Sequence, residues 1–436
     1  MTITKEKVGF WTVLSLVVGN MIGAGIFTIP ASLAKYGSIS LLSWSFTGAG
    51  AVLLALVFSR LATKHPAVGG PYAYCHDAFG DYMGFQVAWT YWISMWVGSV
   101  ATIVMTVGYI SVFVPAINQD PNLGFLTGLA IIWSLTFLNI KSVKGSGIMQ
   151  ILTTVLKILP IFVVIAFAIP EIDVANYQPF NATDSSDMTT FMAASTITMW
   201  TFIGLESATI PSDNIENPKR TIPMATVIGT LFVALLYIGT VAIIDGMIPN
   251  DVLQCSPAPF ATVAEILFGS TGGWIIAFGA VFAALGSLNG FVLIQAQVPL
   301  AAAKDKLFPK QFARQNEKGI PNVALIINAT IMSVVLYANY NKSLINQFTL
   351  LATLATLAAL TTYMFSTVAE MVLHVRHKYE YKSDRKAHGV MVISVLAFAY
   401  TIWAIVGAGE EIVYMGALLF FGSTPIYALI KWQNSK

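Results

Sequence analysis

The chain has 436 residues, of which 56% are AVILMFWYC and only 10% are Asp, Glu, Lys or Arg. Soluble globular domains carry about 25% charged residues and disordered chains are poor in aromatics, so a chain with 27 Phe, 16 Tyr and 10 Trp belongs to neither class. The net charge of +2 offers little to nucleic acid, and no such partner is expected.

At about 20 residues per membrane crossing, apolar runs bounded by charges or by Pro and Gly predict an all-α membrane protein. Its twelve transmembrane helices are expected over 10–34, 39–62, 83–114, 123–142, 145–169, 188–211, 222–248, 272–303, 321–340, 345–375, 389–408 and 412–430. The first run is too long for the apolar core of a cleaved signal peptide. Residues 66–82 and 251–269 fall between spans, and the second, which contains Asp251 and Glu265, reads as a surface helix. With both termini in the cytoplasm, 20 of the 23 Lys and Arg residues collect on that side, leaving Lys35 and Lys342 outside and Lys157 within a helix. That asymmetry sets the orientation and implies a multi-pass protein of the plasma membrane, the inner membrane in a Gram-negative cell.

Several residue types carry less. Glu370 and Asp245, near helix ends, read as interfacial. Cys75 and Cys255 fall on opposite sides of the membrane and cannot pair. His65, His76, His374, His377 and His388 all lie in cytoplasmic loops or at their edges, where a basic segment facing anionic lipid accounts for them better than a metal does. No G-x-x-x-x-G-K-[ST], H-E-x-x-H or G-x-S-x-G occurs, which removes an ATP-driven pump and an intramembrane protease. No enzymatic activity, cofactor or metal is expected.

Two spans are interrupted near their middles. Gly19-Asn20-Met21-Ile22-Gly23-Ala24-Gly25-Ile26-Phe27 places three glycines in seven positions, each about 1 kcal/mol worse than Ala in a helix interior. Thr201-Phe202-Ile203-Gly204-Leu205-Glu206-Ser207 again sets a glycine beside polar residues. Unwound backbone is tolerated in a bilayer only where it is buried in protein or lines a cavity. Gly19 and Gly23 alone would equally suit close helix packing, but a second break about 180 residues on, near the start of a second five-helix block, fits the inverted repeats of secondary transporters. The expected organisation is a five-plus-five inverted repeat, over 1–170 and 188–376, with two extra C-terminal helices and a tail over 388–436. Each break leaves N–H groups at one half-helix start and C=O groups at another half-helix end without internal partners. An amino acid's carboxylate and ammonium suit those two kinds of group.

The first break with Pro30, Gly69-Gly70-Pro71-Tyr72-Ala73-Tyr74, Trp200 through Ser207, Glu216-Asn217-Pro218-Lys219-Arg220-Thr221-Ile222-Pro223 and Ala301-Ala302-Ala303-Lys304-Asp305-Lys306-Leu307-Phe308-Pro309 resemble the amino acid–polyamine–organocation transporters over nearly the whole chain. Within that superfamily the arginine/agmatine and putrescine/ornithine antiporters are nearest. The resemblance implies that backbone N–H groups around Ala24 and Gly25 hold the substrate carboxylate and that the carbonyls of Met21, Trp200 and Ile203 hold its ammonium. It implies that Trp200 closes over the substrate, with Tyr91, Glu206 and Tyr363 as a further gating layer on the outer side, and that Phe291, Ser99 and Ala355 line the side-chain pocket. In the arginine/agmatine pattern a Trp, an Asn and a Ser hold the guanidinium at those last three places, and a Ser stands at Ala24. Losing such groups leaves a cation's donors without acceptors, at about 1–3 kcal/mol each, and Phe offers a weaker cation–π face than Trp. A neutral amino acid is therefore the expected substrate, with a cationic amino acid or polyamine as the alternative.

Lys157 lies about ten or more residues from either end of its span, roughly 15 Å along a helix, and a lysine at that depth is a functional-site hypothesis by default. It resembles the fifth-helix lysine of proton-coupled amino acid permeases, which occupies the cation position of sodium-coupled relatives. By that likeness Lys157 would contact the first half-helix near Gly19 and the hydroxyl of Ser287, and coupling would use protons rather than sodium. Glu206, in the second break, reads equally as a pH sensor or as a capping acceptor for unwound backbone. A channel would need a ring of selectivity groups, and no filter segment is present. The expected partners are a small amino acid, the lipid bilayer and a second copy of the chain, paired through the last two spans.

Overall fold

The computed structural model describes residues 9–23, 25–64, 70–141, 158–159, 161–209, 215–317, 319–376 and 384–435. A bilayer-spanning segment must satisfy its backbone internally, and the described elements are all helical. They are labelled α1 (Phe10–Met21), α2 (Gly25–Ala34), α3 (Ile39–Lys64), α4 (Pro71–Phe79), α5 (Asp81–Ile110), α6 (Pro121–Lys141), α7 (Asp187–Met199), α8 (Pro218–Met247), α9 (Pro259–Lys304), α10 (Asn322–Asn339), α11 (Leu344–Arg376), α12 (Asp384–Val406), α13 (Glu410–Phe421) and α14 (Thr424–Asn434). Among the described residues ten stretches are long and apolar enough to cross a membrane. The protein is thus a multi-pass, all-α membrane protein.

Most expected spans lie within a few residues of an observed helix, and the departures have local causes. The sixth span stops at Met199, passes through a 3-10 turn at Trp200–Phe202 and is not helical again until Ser207–Thr209, because Gly204 sits at φ 106. The surface helix expected within 251–269 runs from Pro259 to a sharp turn at Gly269 (φ 72), where the backbone leaves the helical conformation before the eighth span begins. The last span is cut in two at Gly422 and Ser423, where the Ser423 hydroxyl donates to Gln86 Oε1 at 2.9 Å. Of the fifth span, only Ile158, Leu159 and the helix Ile161–Glu171 are described, so Lys157 lies outside the described residues.

Packing sorts the helices into two groups. In one, α8 lies along α1 and α3, and α3 along α7; Trp44, Phe202 and Tyr237 interlock edge to face at its centre. In the other, α5 is wrapped by α9 and α11 and is buried over nearly its whole length. The two breaks belong to the first group and face the second, so any space between them is lined by loose backbone on one side and by helix side chains on the other.

The ends of the helices that carry basic residues share one face. Lys431 pairs with Asp81, Tyr72 donates to Asp305 at 2.7 Å and Arg376 donates to the Asp77 carbonyl at 3.0 Å. Near this face Glu370 of α11 departs from expectation. It is not interfacial but buried, held by Arg60 of α3 through paired hydrogen bonds of 2.6 and 2.8 Å and by the Ser394 hydroxyl of α12 at 2.5 Å. A carboxylate can be buried at this depth because a guanidinium meets both its oxygens. Asp245 does sit near a helix end, two residues before the end of α8, yet its Oδ1 is buried without a hydrogen-bond partner among the described residues. It lines a small cavity with Ser38, Asn176, Tyr177 and Asn250. The cysteines are free: Cys75 is buried, which pushes its thiol up to about 12, and Cys255 is exposed.

Candidate functional site

Between the two helix groups lies a cavity whose lining includes Asn20, Met21, Gly23, Gly25, Ser94, Met95, Ser99, Thr102, Trp200, Thr201, Ile203, Ser287 and Phe291. Of the residues the sequence pointed to, Met21, Gly25, Ser99, Trp200, Ile203, Ser287 and Phe291 meet here. Ala24 lies outside the described residues. Ala355 does not line the cavity; it is fully buried in α11 behind Gly98 of α5. Gly19 is buried in α1 two residues before that helix ends, and the expected contact between Lys157 and Gly19 or Ser287 lies outside the described residues.

The break in the first span is built by short turns. Ile22 N–H still reaches Val18 O at 2.7 Å, but Gly23 N–H turns back to Met21 O at 2.7 Å, and α2 then starts afresh at Gly25. The first-turn N–H groups of α2 have no acceptor within their own helix and carry the positive end of its dipole. Across the cavity α7 runs out through the 3-10 turn, so the C-terminal, negative end of that helix faces the same space. Bonds from Ile203 N to Trp200 O (3.3 Å), Leu205 N to Phe202 O (3.3 Å) and Ser207 N to Gly204 O (2.9 Å) hold the second break. Among the described residues no donor reaches the Ile203 carbonyl. The Met21 carbonyl, in contrast, already accepts from Gly23 N–H and from the Tyr237 hydroxyl at 2.7 Å. One end of the cavity therefore combines a helix N-terminus with the Ile203 carbonyl, which accepts from no donor among the described residues, the pairing that a zwitterion matches.

Trp200 spans the cavity between the two groups. A Cβ on Gly25 would lie 2.7 Å from its Nε1, and one on Gly98 would lie 2.6 Å from its Cη2. Both glycines are thus steric requirements of the indole, which also meets Phe348 edge to face at 6.4 Å. Ser287 Oγ lies 4.0 Å from a Cβ built on Gly23, which sets this hydroxyl against the first break.

Glu206 is fully buried and accepts from Tyr91 Oη at 2.7 Å, Tyr363 Oη at 2.6 Å and Gly204 N–H at 3.1 Å. It therefore does cap the unwound backbone, and it also ties the break to both α5 and α11. The triad lies on the opposite side of the cavity from the one expected. Tyr91 is ten residues from the Asp81 end of α5 and Tyr363 thirteen from the Arg376 end of α11, both on the face with the basic residues, while Ser99 and Thr102 lie two to three turns deeper. Tyr91 also packs with Met95 and Val298, against which Phe291 rests, so the floor of the cavity on that side is closed.

Sequence reasoning gave no role to Asn20, Ser94, Thr102 or Thr201, which also line the cavity. Asn20 is legible in hindsight as an amide between the glycines of the first break; its Nδ2 is buried without a hydrogen-bond partner among the described residues. The others are hydroxyls of a kind common inside membrane helices, and nothing in their spacing marks them.

Comparison with known proteins agrees with this architecture. The sequence profile of a family described as amino acid permease matches residues 8–430. A cadaverine/lysine antiporter of Escherichia coli strain K12 is 33% identical over 334 residues, covering 76% of this chain and 75% of that protein. An arginine/ornithine antiporter of Pseudomonas aeruginosa is 30% identical, covering 99% and 92%. An arginine/agmatine antiporter of Chlamydia pneumoniae is 30% identical, covering 100% and 93%.

Proposed function

Because the chain belongs to the amino acid permease family of the amino acid–polyamine–organocation superfamily, we propose that this membrane transporter exchanges a cationic amino acid for a related amino acid or its amine by alternating access. The observation that carries this reading is the cavity in which the start of α2 and the end of the α7 turn face each other beneath Trp200. The α2 N-terminus takes the substrate carboxylate, and the Ile203 carbonyl, supported by that of Trp200, takes its ammonium. Met21 contributes mainly as part of the wall, since its carbonyl is already engaged. Trp200 closes over the bound head group, and Tyr91, Glu206 and Tyr363 form the layer that must part to release substrate toward the face carrying the basic residues.

The cationic side chain follows the relatives, whose names record arginine, lysine, ornithine, agmatine and cadaverine as their substrates. One observation favours a second reading, a neutral side chain: no carboxylate lines the cavity among the described residues, and Phe291 and Ser99 form its far wall. In both readings the five-plus-five inverted repeat is the frame of the motion, the termini are cytoplasmic, the protein resides in the plasma membrane, coupling is independent of sodium with Lys157 in its place, and α12–α14 offer a surface for a homodimer.

Competition separates the two readings. Uptake of labelled arginine into proteoliposomes loaded with arginine should be suppressed by lysine, ornithine, agmatine and cadaverine and much less by leucine or serine. No uptake of labelled arginine, with saturable uptake of labelled leucine or serine into vesicles loaded with the same amino acid, would leave the neutral reading standing in its place.

A further inference from the structure

The small cavity around Asp245 lies at the end of α8 away from Lys219 and Arg220, and so away from the basic face. Its other walls come from the last residue of α2, the turn at Gly37 and Ser38, the 3-10 turn Val174–Tyr177 and the short helix Asn250–Leu253. Hydrogen bonds fix this frame without using Asp245. Asp173 N–H and Asn176 Nδ2 both donate to the Gly246 carbonyl at 2.9 Å, and Tyr177 Oη donates to the Ala242 carbonyl at 2.8 Å. Ser38 N–H donates to Pro179 O at 3.3 Å and Ala182 N–H to Tyr36 O at 3.1 Å, so the turn after α2 is pinned to the same loop.

Nothing positive answers the carboxylate inside that frame. Asp245 Oδ1 is buried without a hydrogen-bond partner, and no Lys, Arg or His pairs with Asp245, among the described residues. The other charged groups nearby are engaged or turned to solvent. Lys35 carries its amine over the Tyr36 ring at 4.9 Å, Asp173 Oδ1 accepts from Ala175 N–H at 2.9 Å, and Asp251 is exposed. The single hydroxyl proton of Tyr177 is committed to Ala242 and the amide nitrogen of Asn176 to Gly246, which leaves both with oxygen lone pairs. Ser38 and Asn250 add a hydroxyl and an amide oxygen to the lining. A buried carboxylate without a partner is unfavourable, and one carboxylate among neutral oxygens is the donor set of a hard cation. A single negative charge balances an alkali ion rather than a divalent one, and the small cavity suits sodium better than potassium.

We infer that Asp245, with Ser38, Asn176, Tyr177 and Asn250, forms a binding site for a sodium ion. The site is separate from the substrate cavity, which meets α2 at Gly25, whereas this one meets it at Ala34, about 13 Å further along the helix. An ion here joins the far end of α2 to α8 and to the loop that crosses both. It is a resident ion that steadies a half-helix and is not carried with substrate, so exchange stays independent of a sodium gradient.

Thermal unfolding of the purified full-length protein reads this site without any transport. Sodium chloride at about ten times the Kd should raise the Tm of wild type by about 2 °C over choline chloride of equal ionic strength, and potassium chloride should raise it less. Asp245→Asn keeps the shape and removes the charge, and its Tm should not respond to sodium. Ser38→Ala deletes one neutral ligand and serves if Asp245→Asn does not fold; it should keep the response but need about tenfold more sodium. The absence of a sodium-specific shift in wild type, or a shift kept in full by Asp245→Asn, would overturn the site. A wild type that responds to pH and not to sodium, with the response lost in Asp245→Asn, would also overturn it and leave Asp245 a proton site. Uptake driven by a sodium gradient and lost in Asp245→Asn would overturn the resident role.

Discussion

At one end of the cavity the polar groups belong to the backbone; at the other they belong to side chains, and the two ends are held with different firmness. The helix-break end is tied down by Tyr237 on the Met21 carbonyl, by the turn bonds from Trp200 to Ser207, and by Glu206, which joins Gly204 to two tyrosines of other helices. The side-chain end has a ring and a hydroxyl. A head group common to every amino acid can be met by fixed main-chain groups, whereas a particular side chain is met by groups that a single substitution can exchange. Damage to the first end should therefore weaken all substrates alike, and damage to the second should change their ratio.

The largest expected effect is at the first end. Glu206→Leu removes the acceptor of two buried hydroxyls and one N–H, each orphan costing about 1–3 kcal/mol. Exchange should fall about 100-fold or more for every substrate, and a loss confined to cations would break the comparison. Next comes Gly98→Ala, which drives a methyl into the far end of Trp200 while Gly25 blocks retreat of its other end; KM should rise about tenfold, a displaced ring forfeiting its contacts and its closure, again for all substrates. Tyr237→Phe deletes one hydrogen bond to the first break, worth about 0.5–1.5 kcal/mol, and should raise KM about threefold without altering preference. The smallest effect belongs to the side-chain end. Phe291→Trp offers a better cation–π face, worth about 0.5–1 kcal/mol, and should lower KM severalfold for arginine or lysine alone. An equal change for leucine would show that the ring only fills space.

The backbone-built end was also the more legible in the sequence. Glycines clustered with polar residues inside otherwise apolar runs weaken a helix where no water can take over its hydrogen bonds, so both breaks could be located to within a few residues. Contacts that join distant parts of the chain left no such trace. Arg60 and Glu370 are 310 residues apart, and without the pairing a lone Glu near a helix end reads as interfacial. The side of the cavity on which Tyr91, Glu206 and Tyr363 lie follows from the direction of α5 and α11 relative to the basic face, which the positive-inside count implied but the gating expectation did not use.

Trans-stimulation tests the central claim most directly. Labelled arginine is offered to proteoliposomes that are empty, or loaded with arginine, lysine or ornithine. The account predicts rapid, saturable uptake into the loaded vesicles and little into empty ones, with the Glu206→Leu variant inert in both. Equal uptake into empty and loaded vesicles would contradict exchange, and no uptake of any amino acid by well-folded protein under either condition would contradict the assignment of the cavity as an amino acid site.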